Sequence, residues 1–265
     1  MGYSLLPTCR FERFALLIGS GANGKSVLLS VVEALVGREH VCAVQPSQFD
    51  NKFQRAHFHG KLANIVTEIA EGAEIADAQL KAIVSGELTT AEHKLKPPFE
   101  FHPVATCWFG TNHLPHTRDF SDALFRRAII LTFNNKFEGD RCDPNLARTL
   151  ANELPGILIL ALAGAKRLLT NGRFTEPSSV QEMKTEWRRT VDQAAQFVED
   201  VATLDPTKRT LSEQVWRRYQ RWTEENGIKS PLNRNNLTAR LRRLGVERAR
   251  GTGGKRFLQG IDVPL

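Results

Sequence analysis

The sequence predicts an α/β fold in which a mainly parallel sheet is flanked by helices and followed by a small basic module. Three observations support this prediction. Short apolar runs alternate with helical stretches over the first 170 residues. A glycine-rich segment lies between the first apolar run and the first helix. Positive charge is concentrated at the end of the chain, where residues 207–265 hold 14 Lys and Arg and five Asp and Glu.

The predicted strands are short apolar runs that end at turn residues or small polar residues. The first is 14–18, which stops at Gly19, and a helix is expected from 26 to 36. Further strands are expected at 62–66, 104–109 and 128–133. Between the second and third strands, residues 85–101 predict a helix end and then a hairpin.

The longest apolar stretch, residues 154–165, predicts a buried helix, since it contains a proline and is shorter than the ~20 residues that span a bilayer. The four cysteines form no C-x-x-C pair, so neither a zinc site nor a disulfide framework is expected. The amino terminus does not resemble a signal peptide. We therefore expect a protein of a reducing compartment, with no membrane partner.

The chain is predicted to have three parts, because a turn-rich stretch at 170–179 interrupts it. An α/β domain is expected at 1–170, a linker helix at 171–190 and a basic module at 191–265. Helices at 194–201, 212–226 and 233–244, followed by a glycine-rich hairpin at 251–254, are the order of a winged-helix domain.

The third helix of this module is the predicted contact with nucleic acid. We expect Arg240, Arg242 and Arg243 to lie on or beside it and to contact phosphates. A solvated charged face is the alternative interpretation of the same residues.

The strongest motif is G-x-x-x-x-G-K-S, which lies between a strand and a helix as a phosphate-binding loop does. Its residues are Gly19, Ser20, Gly21, Ala22, Asn23, Gly24, Lys25 and Ser26. The glycines let backbone N–H groups face the phosphates, the lysine reaches the β- and γ-phosphates, and the serine hydroxyl binds Mg²⁺. The motif therefore predicts a site for ATP and Mg²⁺.

Two polar residues follow predicted strands and are candidates for the hydrolysis machinery. Glu68 is the first acid after the second strand, so we expect it to orient the attacking water and to help hold Mg²⁺. Many P-loop ATPases have Asp before this Glu, whereas here Thr67 precedes it. Asn112 follows the third strand and is expected to bind the γ-phosphate or the water, because ligands gather at the carboxyl ends of strands. A surface acid and an ordinary turn are the alternatives.

Two groups of cations complete the candidate site. Arg126 and Arg127 precede the fourth strand, and one of them is expected to act on ATP while the other pairs with Asp119 or Asp122. An exposed ion pair is the alternative for either arginine.

At the hairpin tip, cationic side chains are expected to contact the phosphates of a threaded DNA strand, unless the tip is merely solvated. These candidates are His93, Lys94 and Lys96.

Taken together, these motifs resemble the superfamily 3 helicases, and within them the C-terminal helicase part of phage and plasmid primase-helicases, which is related to the poxvirus primase-helicase. The matching segments are 19–26, 61–68, 80–87, 99–103, 110–115 and 123–127. The resemblance implies an AAA+ type core that forms a ring, usually a hexamer, hydrolyses ATP between subunits and translocates along DNA.

The resemblance also assigns roles to individual residues. Lys25 and Ser26 become the phosphate and Mg²⁺ residues, Glu68 the catalytic acid and Asn112 the sensor. Arg127 is expected to be the arginine finger in preference to Arg126, because it directly precedes the strand. Lys94 would be the residue that tracks DNA.

The leading hypothesis is an ATP-dependent DNA helicase motor that acts on single-stranded or forked DNA during replication of a phage, plasmid or integrated element, in the cytoplasm of a bacterial host cell. A primase domain or separate primase protein is a partner that the resemblance allows. The alternative is a DNA-binding AAA+ initiator or loader that assembles on DNA without unwinding it. A small-molecule or nucleoside kinase is a third hypothesis, although it has no need of Asn112, the two arginines or the basic module.

Overall fold

The computed structural model describes residues 1–117, 119, 121–228, 231–251 and 254–264 of the chain. The chain divides into two compact units, Met1–Trp187 and Arg188–Leu265. The division falls within the helix Ser178–Val191, which covers most of the predicted linker helix. The functions expected of the three parts, 1–170, 171–190 and 191–265, remain predictions.

The first unit is built on a five-stranded sheet whose neighbouring strands all run parallel. Its order is β2-β3-β6-β1-β7, and the predicted mainly parallel α/β fold is confirmed. The strands are β1 (Phe14–Ile18), β2 (Val41–Cys42), β3 (Ala63–Val66), β6 (Thr106–Thr111) and β7 (Ala128–Thr132). The short edge strand β2 was not predicted, and β6 lies two residues later than expected.

Helices pack on this sheet because its central strands are apolar on both faces. Every residue of β3 and β6 is buried, and Leu17 of β1 packs with Leu29 and Val32 of the first helix. The α-helices of this part of the chain are α1 (Lys25–Val36), α2 (Lys52–Arg55), α3 (Asp77–Ser85), α4 (Asp122–Phe125), α5 (Leu146–Asn152), α6 (Leu154–Asn171) and α7 (Ser178–Val191).

The predicted hairpin follows α3. Its strands, β4 (Thr89–Ala91) and β5 (Phe99–Phe101), pair antiparallel, and residues 92–98 connect them. Leu95 in this connection has φ +62° and is 96% exposed. A large apolar side chain at so exposed a tip has no packing role within this unit.

Helix α6 is not the buried helix that its composition predicts. Only Ala161, Ala165 and Leu168 are buried, whereas Ile159 and Leu160 are 69% and 71% exposed. The prediction was wrong because an apolar stretch was equated with burial, while only a narrow stripe of this helix meets the rest of the unit. Among the described residues, α6 is the single helix long and apolar enough to cross a membrane, which is weak evidence of a span.

The stripe of α6 packs on the 3₁₀ helix Gly2–Leu5 near the amino terminus. A Cβ at Gly2 would clash with the Ala161 carbonyl oxygen, so the two backbones touch directly. The indole Nε1 of Trp108 in β6 donates to Ser4 Oγ at 2.9 Å. The first residues are thereby fixed to both the sheet and α6.

The second unit combines helices with a small antiparallel sheet of order β8-β10-β9. Its elements are α8 (Gln193–Val201), β8 (Thr203–Leu211), α9 (Ser212–Glu225), α10 (Arg234–Arg243), β9 (Glu247–Arg250) and β10 (Arg256–Asp262). The three helices lie where they were predicted, and β8 was not foreseen. Part of the predicted glycine-rich hairpin, residues 252 and 253, lies outside the described residues. The winged-helix class stays a prediction.

An aromatic cluster forms the core of this unit. Phe197 of α8 meets Tyr219 and Trp222 of α9 edge-on, with ring centroids 5.4 and 5.8 Å apart. Both rings keep their polar atoms satisfied, since Tyr219 Oη donates to Gln193 and Trp222 Nε1 donates to Asp200. Such a core explains how a unit rich in surface charge folds.

Candidate nucleotide-binding site

The glycine-rich segment forms a tight loop between the end of β1 and the start of α1. Gly21 and Gly24 have φ of +98° and +88°, in the left-handed region that favours glycine. At Gly19, a Cβ would lie 2.5 Å from the Phe133 carbonyl oxygen. The motif residues therefore have the conformation that a backbone cradle for phosphate needs.

Lys25 is buried at the first position of α1 and lies inside this loop. Its Nζ donates to the Gly19 carbonyl at 2.6 Å, to Asn23 Oδ1 at 3.1 Å and to Asn112 Oδ1 at 3.2 Å. Burial lowers the pKa of this amine, and the nearby Glu68 carboxylate opposes that shift. Three oxygen acceptors thus hold a cation where the motif predicts phosphate contact.

Asn112 bridges the lysine and the acid. Its Oδ1 accepts from Lys25, while its Nδ2 makes a long hydrogen bond of 3.5 Å to Glu68 Oε1. Thr111 fixes the turn that follows, since its hydroxyl donates to the His113 carbonyl at 2.6 Å. The structure therefore brings together Lys25, Asn112 and Glu68, three of the predicted catalytic residues.

Gly110 determines how closely β6 approaches the end of β3. A Cβ on Gly110 in β6 would clash with the carbonyl oxygen of Thr67, which follows β3. Ile69 N donates to the Gly110 carbonyl at 2.9 Å, so the chain that carries Glu68 is held against β6 by its backbone. Sequence analysis missed this role, because a glycine in a buried strand indicates close approach but not the partner.

The predicted Mg²⁺ residues, Ser26 and Glu68, are both exposed at this end of the sheet. Magnesium at nucleotide sites keeps several waters and takes one or two protein ligands besides phosphate oxygens. The described residues contain no cluster of three or more His, Cys, Asp or Glu that could hold a metal without the nucleotide. One hydroxyl and one carboxylate fit an ion that arrives with ATP.

Asn23 is a second residue whose role sequence analysis did not specify. Besides accepting from Lys25, it donates through Nδ2 to the Phe133 carbonyl at 3.1 Å. It thereby ties the loop to the end of β7. Asn23 occupies one of the unspecified positions of the motif, where the sequence does not indicate such a bond, so only the structure identifies it.

The two arginines before β7 differ in burial and in ion pairing, and this difference reverses our preference for Arg127 as the arginine finger. Arg127, the predicted finger, is buried; it pairs with Glu12 at 2.6 Å and donates to the Ala123 carbonyl at 2.7 Å. It also donates to Ser85 Oγ at 2.9 Å. Arg126 is exposed, and no ion pair to it is found among the described residues. The geometry therefore favours Arg126 for contact with a second molecule.

Of the two acids expected to pair with an arginine, Asp119 has another partner, and pairing with Asp122 stays a prediction. Asp119 pairs with Lys81 of α3 at 2.5 Å, and its other oxygen accepts from Ser121 N at 2.8 Å. Burial raises the pKa of Asp119, but hydrogen bonds from Lys81 and Ser121 outweigh it and leave that pKa lowered. Asp119 is thus held to α3.

The hairpin cations are exposed, as a DNA-contacting tip requires. His93, Lys94 and Lys96 all lie in the connection between β4 and β5. The His93 ring stacks on Phe99 with centroids 5.2 Å apart, which fixes the imidazole against β5. Among the described residues, no hydrogen bond joins these hairpin cations to the Lys25 site.

The predicted phosphate contacts of the second unit do not form one group. Arg242 and Arg243 at the end of α10 are exposed, but the Arg240 side chain is 11% exposed and lies 3.9 Å from Asp192. Burial lowers the pKa of Arg240 to about 10. Arg240 faces the interior of the unit because it lies three residues after Leu237 and next to Leu241, on the buried stripe of α10.

Comparison with known proteins gives matches for both units. The model of a family of unknown function, DUF5906, matches residues 17–127, and that of the Poxvirus D5 protein-like family matches residues 189–248. A protein of Acanthamoeba polyphaga mimivirus named "Putative helicase L207/L206" is 24% identical over 261 residues, which cover 84% of this chain and 26% of the mimivirus protein. The chain thus spans about a quarter of that relative.

Solved structures match the fold over nearly the whole chain. The apo structure of the NrS-1 C-terminal region has a TM-score of 0.58 at 14% identity and covers 98% of this chain and 70% of that one. A second apo form of the same region gives 0.55 at 13% identity, with 98% and 71% covered. At these identities, the likeness establishes the fold.

Proposed function

This chain is related to the superfamily 3 primase-helicases, and from that premise we propose that it is the ATP-hydrolysing motor of a DNA helicase. The single observation that supports the motor most strongly is the chain of contacts from Lys25 through Asn112 to Glu68. These residues end or follow neighbouring strands, and the edge where parallel strands end is where such folds bind ligands.

The roles of the site residues follow from their positions. The backbone of residues 19–24 and the amine of Lys25 would bind the β- and γ-phosphates, and Lys25 would exchange its present acceptors for phosphate oxygens. Glu68 would orient the attacking water and accept its proton. Asn112 would fix the positions of Lys25 and Glu68 relative to each other. ATP and Mg²⁺, when bound, supply the reacting phosphoryl group and charge neutralisation; Ser26 and Glu68 would hold the ion.

Arg126 completes the proposal at a subunit boundary. An exposed arginine that precedes β7 and has no described acidic partner is available to a phosphate bound by a neighbouring subunit. Arg127 would support it from within, because the bonds to Glu12, Ser85 and Ala123 fix the backbone between α4 and β7. We propose a ring, with the hexamer as the expected size.

DNA would be moved by the hairpins of successive subunits. Each hairpin presents His93, Lys94 and Lys96 at an exposed tip, and the phosphate backbone is attracted to such cations irrespective of sequence. Repetition around a ring would give a body without net positive charge a continuous cationic path.

The test is ATP hydrolysis with and without single-stranded DNA. We expect DNA to stimulate hydrolysis, Lys25→Ala to lose nucleotide binding, and Glu68→Gln to bind ATP without hydrolysing it. Measurement of the mass in solution with a non-hydrolysable ATP analogue would detect assembly. The proposal would be contradicted if ATP hydrolysis were rapid and equally fast with and without DNA, and if the protein stayed monomeric with the analogue.

The second candidate is an initiator or loader that uses ATP to assemble on DNA. The basic second unit favours it, since residues 207–265 have a net charge of +9 and would hold DNA without a moving part. Displacement of a labelled strand from a forked duplex separates the two functions, because a loader assembles on the fork and leaves it paired.

A further inference from the structure

Helix α6 has an apolar surface that the described residues leave uncovered. Ile159, Leu160 and Leu162 are 69%, 71% and 53% exposed, although the helix packs along one side against the segment Gly2–Leu5. A contiguous exposed apolar surface of this kind marks a contact with another molecule. The charges at the two ends of the surface indicate which molecule that is.

These charges flank the surface symmetrically. Glu153 precedes Leu160 by seven residues, and Arg167 follows it by seven. Because seven residues are close to two turns of an α-helix, the three side chains lie on one face, with each charge about 10 Å from Leu160 along the axis. Gly156 and Gly164, about one turn to either side of Leu160, have no side chain. Leu160 therefore projects midway between an acid and a base.

Neither end charge has an ionic partner in the described part of the chain. Glu153 and Arg167 are both exposed, and no ion pair to either is found among the described residues. An acid near the start of a helix and a base near its end both interact favourably with the helix dipole. The dipole explains the sign of each charge, but it does not explain why the surface between them is apolar.

A second copy of α6 in antiparallel orientation matches both the apolar surface and the charges. A two-fold axis at Leu160 would place this side chain against Leu160 of the partner subunit. The same axis would bring Glu153 level with Arg167 of the partner subunit, and symmetry would repeat this ion pair at the other end. A parallel copy would instead bring like charges together at both ends. The pattern is self-complementary in the antiparallel orientation.

A lipid surface fits this face less well. Helices that lie on membranes are rich in Lys and Arg along their polar face, whereas α6 has an acid at its start and only Lys166 and Arg167 near its end. One side of α6 is also held within the unit, where Ala161, Ala165 and Leu168 are buried. The helix could cross a bilayer only if that packing were lost.

We propose that the exposed face of α6 is a two-fold interface between two copies of this chain, with Leu160 at its centre and a Glu153–Arg167 ion pair at each end. Contact between identical surfaces is the commonest arrangement in protein oligomers. The interface needs no nucleotide. It is therefore separate from the ring contact proposed for Arg126, which joins two different surfaces and includes bound ATP.

The test is the mass of the full chain in solution without nucleotide, measured over a range of concentrations. We expect a dimer, and Leu160→Lys should raise its dissociation constant about a hundredfold, because two ammonium groups would meet at the axis. The matched control is Leu169→Lys, which adds the same charge at a leucine that is 47% exposed and lies on the opposite side of α6. This control should leave the dimer intact. Both variants should unfold near the wild-type temperature, since neither leucine is buried.

Exchange of the end charges tests the orientation. Glu153→Arg and Arg167→Glu, made singly, each bring like charges together at both ends and should weaken the dimer about tenfold. The double variant Glu153→Arg/Arg167→Glu restores opposite charges and should recover the wild-type dissociation constant. A more stable helix cannot explain such a recovery, because each exchange is unfavourable to the helix dipole.

Four outcomes would overturn the proposal. They are a wild-type chain that stays monomeric at every concentration, equal weakening by Leu160→Lys and Leu169→Lys, and failure of the double variant to recover. The fourth is a chain that does not dimerise but sediments with phosphatidylglycerol vesicles unless Leu160 is changed to Lys, which would assign the face to a lipid surface. ATP hydrolysis and assembly with the ATP analogue are measured on Leu160→Lys, so that the motor function is decided separately from this interface.

Discussion

Lys25 and Asn112 are 87 residues apart in the chain, yet Nζ of the lysine donates to Oδ1 of the asparagine at 3.2 Å. The contact joins the phosphate-binding loop to the end of β6. The sheet thereby aligns the two residues. Preorganisation of this kind lets a polar group act on developing charge without first being moved.

Substitution of Asn112 by alanine is expected to abolish the alignment of Glu68. We predict that kcat for ATP hydrolysis falls by about 10²–10³-fold, while affinity for a non-hydrolysable analogue changes little because the backbone loop and Lys25 remain. Phosphate release and calorimetry measure the two quantities. The neighbouring exposed residue gives the control, and His113→Ala is expected to retain hydrolysis. Equal activity of both variants would remove Asn112 from the mechanism.

Gly110→Ala is expected to damage stability and hydrolysis together. The new Cβ would meet the Thr67 carbonyl, a backbone atom that cannot rotate away, so β3 and β6 must separate near Glu68. We predict a loss of about 2–4 kcal/mol in the free energy of unfolding.

The control for this prediction is Gly164→Ala in α6, where a Cβ meets nothing within 4 Å. Alanine in a helix interior is favoured over glycine by about 0.5–1 kcal/mol. Chemical denaturation should therefore move the two variants in opposite directions.

We expect Arg127→Ala to lose stability and Arg126→Ala to lose ATP hydrolysis. Loss of the buried Arg127 leaves the Ala123 carbonyl and Ser85 Oγ without their donor, and we predict about 1–3 kcal/mol of destabilisation. The exposed Arg126 should be replaced with little change in stability but with loss of hydrolysis.

Mixing tests whether Arg126 acts on a neighbouring subunit. Arg126→Ala retains an intact loop and Lys25→Ala retains an intact arginine, so mixed rings contain interfaces with both. Two inactive preparations should then regain part of the activity when combined. Failure to regain any, with assembly demonstrated by mass, would confine Arg126 to its own subunit or to the surface.

The Asp119–Lys81 pair predicts a dependence of stability on pH. The folded state lowers the pKa of Asp119, so its contribution is present above the unfolded pKa and is lost as pH falls through the folded value. We predict that Asp119→Asn costs about 1 kcal/mol at neutral pH. The difference from wild type should disappear in acid, as thermal unfolding across pH would show. A constant difference would mean that the charge of Asp119 does not matter.

The residues at the ends of strands were predictable from the sequence because motif and strand pattern agree. Gly19–Ser26, Glu68 and Asn112 were each placed by an apolar run that ended beside them, and the structure brings Lys25, Glu68 and Asn112 into contact. Their chemical roles remain predictions, since contact alone does not establish them.

Features that depend on the third dimension could not be predicted. Arg126 and Arg127 are adjacent and identical in type, and only packing against Glu12 and Ser85 distinguishes them. The burial of α6 was wrongly predicted because composition does not show how much of a helix surface contacts the rest of the protein. The strand β8 was missed because its residues are mainly polar and its strand form comes from pairing with β10.

The contact between Gly2–Leu5 and α6 has a consequence for how the chain acquires its structure during synthesis. Residues 2–5 are synthesised well before Ala161, the residue on whose backbone they pack. The bond from Trp108 to Ser4 is likewise non-local. Contacts between such distant residues form late and slow the folding of a domain. The segment Gly2–Leu5 can therefore take its packed position only after α6 has been synthesised.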